Sequence, residues 1–136
     1  LQKCSKVIFI KGNHDTILEP IAKKKNIEIK QKIDIDTITI VHGDKLFKDL
    51  KKTVIISHEH PAISFKERPD EKYKCFLRGK YKSHNLIVLP SFNLLLPGSD
   101  ITKEEHHSPY IKNISNFKVF VIQDKIYDFG KVKDIL

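Results

Sequence analysis

Short runs of β-branched and aromatic residues, each closed by a turn-forming or polar cluster, constrain this chain more than any other feature. Between residues 27 and 40, isoleucines recur mostly at every second position with polar residues between them. This alternation is typical of strands with one buried face. Helical features occur only at residues 19–25, where Pro20 stands near the first turn, and at residues 45–52. The sequence therefore predicts a β-rich α/β chain with few helices.

The other strands are predicted from the same kind of run. Residues 6–11, 37–41 and 53–56 form strands that end in polar clusters. Pro61 and Pro90 are expected to end strands. Further strands are predicted at residues 62–65, 73–81, 86–89, 119–122 and 126–129, with turns at 83–85 and 123–125, a loop at 66–72 and an irregular segment at 90–109.

Length and composition place the chain among globular domains. Its 136 residues, 40% hydrophobic and 31% charged, suffice for one domain with an ordinary core and exclude a disordered chain. No apolar run approaches the roughly 18 residues of a membrane span, so we expect no membrane partner. Cys4 and Cys75 are too few for a disulfide framework and lack zinc-type pairing. We interpret both as reduced, buried cysteines of a cytoplasmic protein.

The charge balance favours an anionic partner. The chain has 25 basic and 17 acidic residues, which gives a formal net charge of +8. A positive balance of this kind is typical of proteins that bind polyanions such as nucleic acid. The lysines are nevertheless scattered, and a chain rich in Lys and Ile throughout has the same charge without any nucleic-acid function. The charge by itself leaves both interpretations open.

Three of the predicted strands end in clusters of the same kind. The clusters are Gly-Asn-His-Asp at residues 12–15, His-Gly-Asp at 42–44 and His-Glu-His at 58–60. If the strands deliver these clusters to one edge of a sheet, the side chains meet where α/β folds bind ligands. Imidazole nitrogens and amide oxygens are divalent-metal ligands, and the clusters contain no thiol. The pattern predicts a metal site without cysteine.

The same clusters resemble the motifs of the calcineurin-like metallophosphoesterases. Residues 12–15 match the family's Gly-Asn-His-Asp/Glu signature, and Val-His-Gly at 41–43 matches its next metal histidine. Residues 57–60 match the closing Gly-His-x-His motif, with Ser57 in place of Gly. Residues 58–63, 75–77, 88–93 and 108–109 further resemble one subgroup of the family. This subgroup contains archaeal and bacterial single-domain phosphoesterases, including ligase-associated DNA-damage-response endonucleases.

The resemblance implies the C-terminal portion of a four-layer α/β/β/α sandwich with mixed β-sheets. The similarity extends from about Val7 to Phe129. The family's two earlier motifs, Asp-x-His and Gly-Asp-x-x-Asp/His, have no counterpart, the sequence contains no methionine, and a buried strand stands almost at its start. We therefore expect residues 1–136 to be one partial calcineurin-like phosphoesterase domain whose N-terminal part is absent.

The resemblance also implies a dinuclear metal site. Asn13, His42 and His58 would hold one divalent ion, and His60 would help to hold a second. Manganese is the expected metal at both positions. Two such ions would activate a bridging hydroxide that attacks phosphorus in line with the leaving oxygen.

The implied catalytic roles fall on His14 and Asp15. His14 would be the general acid for the leaving alkoxide, and Asp15 would orient His14. A turn cap is almost as good an interpretation of Asp15. The function so implied is hydrolysis of phosphodiester bonds in nucleic acid, with a DNA-repair setting, or in another phosphodiester. Because the bridging Asp of the earlier motifs is missing, the alternative is an inactive remnant or a nucleic-acid-binding module without hydrolysis.

Other residues near the motifs have ordinary interpretations. Asp44 and Glu59 are interpreted as caps or solvated charges. The histidines at 106–107 are interpreted as surface residues, although the loop before Ser108 could approach the site. Phe92 is expected to pack within its loop rather than contact a substrate base.

Overall fold

The computed structural model describes residues 5–135, which form eleven strands and two short helices. The helices are α1 (Leu18–Lys24) and α2 (Val132–Ile135). The strands are β1 (Ile8–Ile10), β2 (Glu28–Lys30), β3 (Lys32–Ile35), β4 (Ile38–Val41), β5 (Thr53–Ile56), β6 (Pro61–Phe65), β7 (Arg68–Tyr81), β8 (His84–Val88), β9 (Ser99–Asp100), β10 (Lys118–Ile122) and β11 (Ile126–Lys131).

Nine of these strands form one mixed sheet. Its main path runs in the order β11-β10-β7-β8-β5-β4-β3, and β6 joins it by pairing with β7 and with β9. β4, β5 and β8 are parallel neighbours, whereas the other pairs along the main path are antiparallel. β1 and β2 form a separate parallel pair. The chain is therefore a mixed α/β fold, mainly sheet with few helices, consistent with part of an α/β sandwich as predicted.

One face of the main sheet forms the hydrophobic core. Val54 and Ile56 in β5, and Leu86 and Val88 in β8, are fully buried. The residues between them are half-buried, so burial alternates along both strands. Burying each such side chain stabilises the fold by about 1.5–3 kcal/mol. The isoleucine pattern does form strands, but in β4 the buried residues are Thr39 and Val41 rather than the isoleucines, and Ile35 of β3 is exposed.

The helix predicted at residues 45–52 is wrong, because this segment contains no helix. Its backbone donors bind partners that are distant in sequence. Phe47 N–H donates to the Tyr110 hydroxyl at 3.1 Å, and Lys51 N–H donates to a threonine hydroxyl of β4 at 2.9 Å. Asp49 has a φ of 55°, which a right-handed helix excludes. Tertiary contacts therefore override the local amphipathic pattern.

Four further predictions fail at element boundaries. The turn predicted at 83–85 lies earlier, because β8 already begins at His84. β7 begins at Arg68, so more than half of the predicted loop 66–72 is strand. Pro61 opens β6 instead of ending a strand, because the first residue of a strand can lack an N–H without losing a ladder bond. The segment 90–109, predicted to be irregular, contains β9. The first helix and the closing hairpin of β10 and β11 are confirmed.

Cys75 is buried and has a free thiol, as predicted, whereas Cys4 lies outside the described residues. Burial, with a smaller effect of Asp100, raises the pKa of the Cys75 thiol to about 12. A thiol with so high a pKa is not a reactive one, because the thiolate is the nucleophilic form. Within residues 5–135, neither helix has the length and apolar character that a membrane crossing needs.

Candidate metal centre

The exits of β4 and β5 bring two histidines to one edge of the main sheet. The strands are parallel neighbours with Ile40 opposite Ile55, so their carboxyl ends lie side by side. His42 directly follows β4, and its carbonyl oxygen accepts hydrogen bonds from the N–H groups of Ser57 and His58, each at 2.9 Å. The backbone itself therefore fixes the spacing between His42 and His58.

Gly43 allows these two exits to pack closely. Its φ of 110° lies in a region that residues with a side chain rarely adopt. A Cβ at this position would come within 2.8 Å of Ile56 Cβ. The His-Gly sequence after β4 therefore has a structural reason, because only glycine permits the chain to turn this tightly against β5.

The third exit reaches the same place from outside the main sheet. β1 belongs to the two-stranded sheet with β2, so the expectation that all three strands end at one sheet edge is wrong. Gly12 nevertheless packs against the His42 ring, since a Cβ at Gly12 would lie 2.9 Å from His42 Cε1. This close approach carries Asn13 to the two histidines.

Three potential ligand atoms converge at this point. His42 Nε2 lies 2.9 Å from Asn13 Oδ1 and 3.0 Å from His58 Nδ1. The two imidazole rings meet edge to face, with centroids 4.9 Å apart. An imidazole nitrogen carries either one N–H or one lone pair, so His42 Nε2 cannot satisfy both neighbours fully. The arrangement concentrates acceptor atoms at one place.

The spacing of these three atoms suits a divalent ion. Metal bonds of about 2.0–2.2 Å at near right angles set neighbouring ligand atoms roughly 3 Å apart. The His, Cys, Asp and Glu residues within 5–135 do not by themselves form a group of three that could hold a metal. The candidate set therefore depends on the amide oxygen of Asn13 in addition to His42 and His58. Metal binding by these residues stays a prediction.

The electrostatics keep His42 neutral. Burial lowers its pKa below the ordinary value of 6.5, and the neighbouring His58 acts in the same direction. The carboxylates of Asp44 and Asp15 oppose this shift without reversing it. A neutral ring is the form that binds a metal, so this environment favours His42 as a ligand at neutral pH.

His60 lies beside this set in the turn that carries His58. It has a left-handed φ of 46°, and its carbonyl oxygen accepts the Ser99 N–H at 3.0 Å. Burial lowers the pKa of His60, and His58 lowers it further. The His60 ring is therefore electrostatically coupled to His58. Its role as a ligand of a second ion stays a prediction.

The turn after β1 orders His14 and Asp15. The Asn13 amide Nδ2 lies 3.1 Å from His14 Nε2, to which it can donate. Asp15 Oδ2 accepts the Gly12 N–H at 2.7 Å. The contact given for the Asp15 carboxylate thus closes the turn, as the capping interpretation predicts. Orientation of His14 by Asp15 stays a prediction. Asp15 would exert this effect by holding the turn that contains His14.

Glu59 is the residue that sequence reasoning missed. Its side chain is only 4% exposed, so its interpretation as a solvated charge is wrong, whereas its acceptance of a backbone N–H fits the interpretation as a cap. The carboxylate accepts the Ser108 N–H, and Ser108 Oγ donates to the Gly43 carbonyl oxygen at 2.6 Å. His106 Nδ1 lies 3.9 Å from Glu59 Oε2. The loop before Ser108 therefore does approach the site, although the uniformly polar sequence at 57–60 gives no sign of a buried residue.

A largely apolar cavity of about 820 Å³ lies beside the candidate centre. Leu89 and Phe92 contribute to its lining, and the Phe92 side chain is fully exposed, so packing of Phe92 within its loop is wrong. Lys74 also lines the cavity, and its ammonium donates to the Ser91 carbonyl oxygen at 2.9 Å. Leu89 also lines a smaller cavity together with His42 and Ser57, which places the large cavity next to the part of the fold that carries the candidate centre.

The fold is shared with a known nuclease. The crystal structure of the nuclease MPE from Pseudomonas putida superposes with a TM-score of 0.65 at 18% sequence identity, over 94% of this chain and 56% of that chain. This chain thus spans just over half the length of that nuclease. The sequence matches no protein-family model and no curated protein. At this level of identity the likeness establishes the fold: the chain has a fold of the same kind as this nuclease.

Proposed function

We propose that this chain is a metal-dependent phosphoesterase that hydrolyses phosphodiester bonds, with nucleic acid as its substrate class. The observation that carries the proposal is the position of His42 Nε2, which lies 2.9 Å from Asn13 Oδ1 and 3.0 Å from His58 Nδ1. The fold shared with a nuclease supports the same class of activity. We propose manganese as the ion, with His60 as a ligand of a second ion.

His14 is the residue proposed to protonate the leaving oxygen. The Asn13 amide Nδ2 lies 3.1 Å from His14 Nε2, to which it can donate when the ring is neutral. We propose that the imidazolium form of His14 gives a proton to the alkoxide and becomes the neutral ring, while Asp15 holds the turn that presents the ring. Divalent ions bound here would lower the pKa of a water and neutralise charge on the phosphate oxygens.

Two features support nucleic acid over a small phosphodiester. The net charge of +8 favours polyanions. The cavity beside the centre has apolar and aromatic walls, including Phe76 and the exposed Phe92, against which a base could stack. Each feature alone is compatible with other partners, and their combination is what favours a nucleotide chain.

The decisive experiment is a hydrolysis assay with bis(p-nitrophenyl) phosphate and manganese. We expect activity that depends on manganese and that is lost in His58→Ala and His14→Ala. His107→Ala is the matched control, because His107 is exposed on the loop before Ser108. Equal activity in all three variants would contradict the proposed roles and point to a contaminating hydrolase.

A module that binds nucleic acid without hydrolysis is the second candidate. It is favoured by the donor set of the described residues, in which the converging atoms are neutral and include no carboxylate oxygen. Manganese binding without any hydrolysis would support this candidate and contradict the first.

Nucleic-acid binding itself is tested by salt. If phosphate contacts dominate, the affinity for a short DNA or RNA falls steeply between about 50 and 200 mM salt. Affinity that does not change with salt would contradict a polyanion as the partner, because release of counterions accompanies every phosphate contact.

A further inference from the structure

We propose that Glu59 is a positioning residue, which holds the His42 and His58 loops in the geometry that binds the metal. This inference rests on the proposed function, since it concerns the same centre. Glu59 follows His58 directly in sequence, yet its side chain is buried beneath the loop that contains Ser108. Its surroundings explain why a charged residue stands there.

The Glu59 carboxylate is the first part of a connection between the two loops. It accepts the Ser108 N–H, and Ser108 Oγ donates in turn to the Gly43 carbonyl oxygen at 2.6 Å. Gly43 is the residue after His42. The connection therefore runs from the residue after one proposed ligand to the residue after the other.

A second connection already joins these loops on the backbone side. The His42 carbonyl oxygen accepts the N–H groups of Ser57 and His58, each at 2.9 Å. Those bonds set the distance between the two loops but allow rotation about the line that joins them. The Ser108 connection lies elsewhere on both loops, so together the two fix their relative orientation. Orientation decides whether His42 Nε2 and His58 Nδ1 face the same point.

The energetics indicate that Glu59 serves geometry more than stability. Burial of a carboxylate is costly, and the contacts given for Glu59 are one backbone N–H and a histidine nitrogen 3.9 Å away. An apolar residue of similar size would avoid the cost of burying a charge. Within residues 5–135, no ion pair of normal length compensates for that cost. What the carboxylate supplies is an acceptor at a fixed place.

The position of the Glu59 carboxylate depends on the turn that contains this residue. His60, one residue later, has a left-handed φ of 46°. His58 and His60 flank Glu59 directly in the chain, and the Glu59 side chain is held under the Ser108 loop. Release of Glu59 would free both imidazoles at once.

The test measures manganese affinity by calorimetry, together with the melting temperature of the metal-free protein. Glu59→Leu removes the acceptor, whereas Glu59→Gln retains an oxygen that can accept the Ser108 N–H. We expect the leucine variant to bind manganese about 10–100-fold more weakly and the glutamine variant to remain within a few-fold of wild type. Asp128→Leu is the control, since Asp128 also accepts a backbone N–H but lies on β11.

Ser108→Ala provides an independent route if Glu59→Leu does not fold. It removes the hydroxyl that binds the Gly43 carbonyl oxygen and leaves the backbone N–H in place, so we expect a smaller loss of affinity, about 10-fold. Wild-type affinity in the folded Glu59→Leu or in Ser108→Ala would overturn the positioning role alone. Absence of manganese binding by the wild-type chain would instead overturn the proposed function, and this inference with it.

Discussion

The paired exits of β4 and β5 differ from the exit of β1 in how they are held. Backbone hydrogen bonds join His42 to Ser57 and His58, and both strands belong to the nine-stranded sheet. Asn13 instead follows a three-residue strand of a two-stranded sheet, and it meets His42 through its side chain. All three residues of β1 are half-buried, whereas β5 contributes two fully buried residues.

This difference indicates a division of labour within the candidate centre. The two histidines are placed by the sheet, so their separation is a property of the whole core. The amide oxygen is placed by a local turn and by the contact of Gly12 with the His42 ring. Changes at the β4 and β5 exits should therefore alter both stability and metal binding, whereas changes at the β1 exit should act on metal binding alone.

The largest effect is expected from His42→Ala. His42 Nε2 contacts both other ligand atoms, so its loss leaves Asn13 and His58 without a common neighbour. We expect manganese affinity, measured by calorimetry, to fall by at least about 100-fold, since loss of a ligand should exceed the effect of its supporting partners. An Asn13→Ala variant that loses as much would remove the asymmetry between the exits.

Gly43→Ala tests the paired exits of β4 and β5, which are held by the main sheet. The new Cβ would come within 2.8 Å of Ile56 Cβ at a φ of 110°, so strain and overpacking both act. We expect the free energy of unfolding in urea to fall by about 2–3 kcal/mol. Gly130→Ala is the control, because Gly130 has a φ of 78° with nothing within 4 Å of the added Cβ.

Comparison of Gly43→Ala with Gly130→Ala separates the backbone strain at positive φ from the steric contact of the new Cβ with Ile56. Gly130→Ala should cost only the conformational strain, about 1–2 kcal/mol. Equal losses in both variants would mean that contact with Ile56 contributes nothing, and the close packing of the two exits would lose its support.

Gly12→Ala tests the exit of β1, which is held by a local turn. The Cβ would lie 2.9 Å from Cε1 of the His42 ring and 3.1 Å from Asp15 Oδ2, and both are side-chain atoms that can shift. We expect about a 10-fold loss of manganese affinity with a change in unfolding free energy below about 1 kcal/mol. A large loss of stability without a loss of affinity would reverse the proposed division.

The smallest effect is expected from pH. The pKa values of His42 and His60 lie below 6.5 in the folded protein, chiefly through burial. The unfolded chain therefore takes up protons first as the pH falls through about 6.5, so stability declines over that range and levels off once the folded rings are also protonated. Urea unfolding at several pH values measures this slope.

Replacement of either histidine should reduce the slope. His42→Gln removes one of the two depressed groups, and the remaining dependence should come from His60 and from carboxylates that titrate at lower pH. A slope that is unchanged in His42→Gln, or stability that rises as the pH falls through 6.5, would contradict the assignment of neutral, half-buried rings.

Much of the fold and part of the candidate site could be predicted from the sequence. The isoleucine alternation and the β-branched runs identify β3, β4 and β5, because strand periodicity is a local property, although β4 buries Thr39 and Val41 rather than its isoleucines. The motif residues Asn13, His42 and His58 are also recognisable, and the structure brings their ligand atoms together. The non-helical course of residues 45–52 could not be predicted in this way, since the backbone donors of this segment are taken by distant partners.

The sequence by itself determined which residues can donate to a metal and which strands precede them, because side-chain chemistry and strand periodicity are local properties. Only the tertiary structure decided that a separate two-stranded sheet delivers Asn13 to His42, and that Glu59 is buried. The physical reason is the distance along the chain. Asn13 and His42 are 29 positions apart in the sequence, and Gly43 and Ser108 are 65 apart. Such contacts depend on the packing of the whole core rather than on any local pattern.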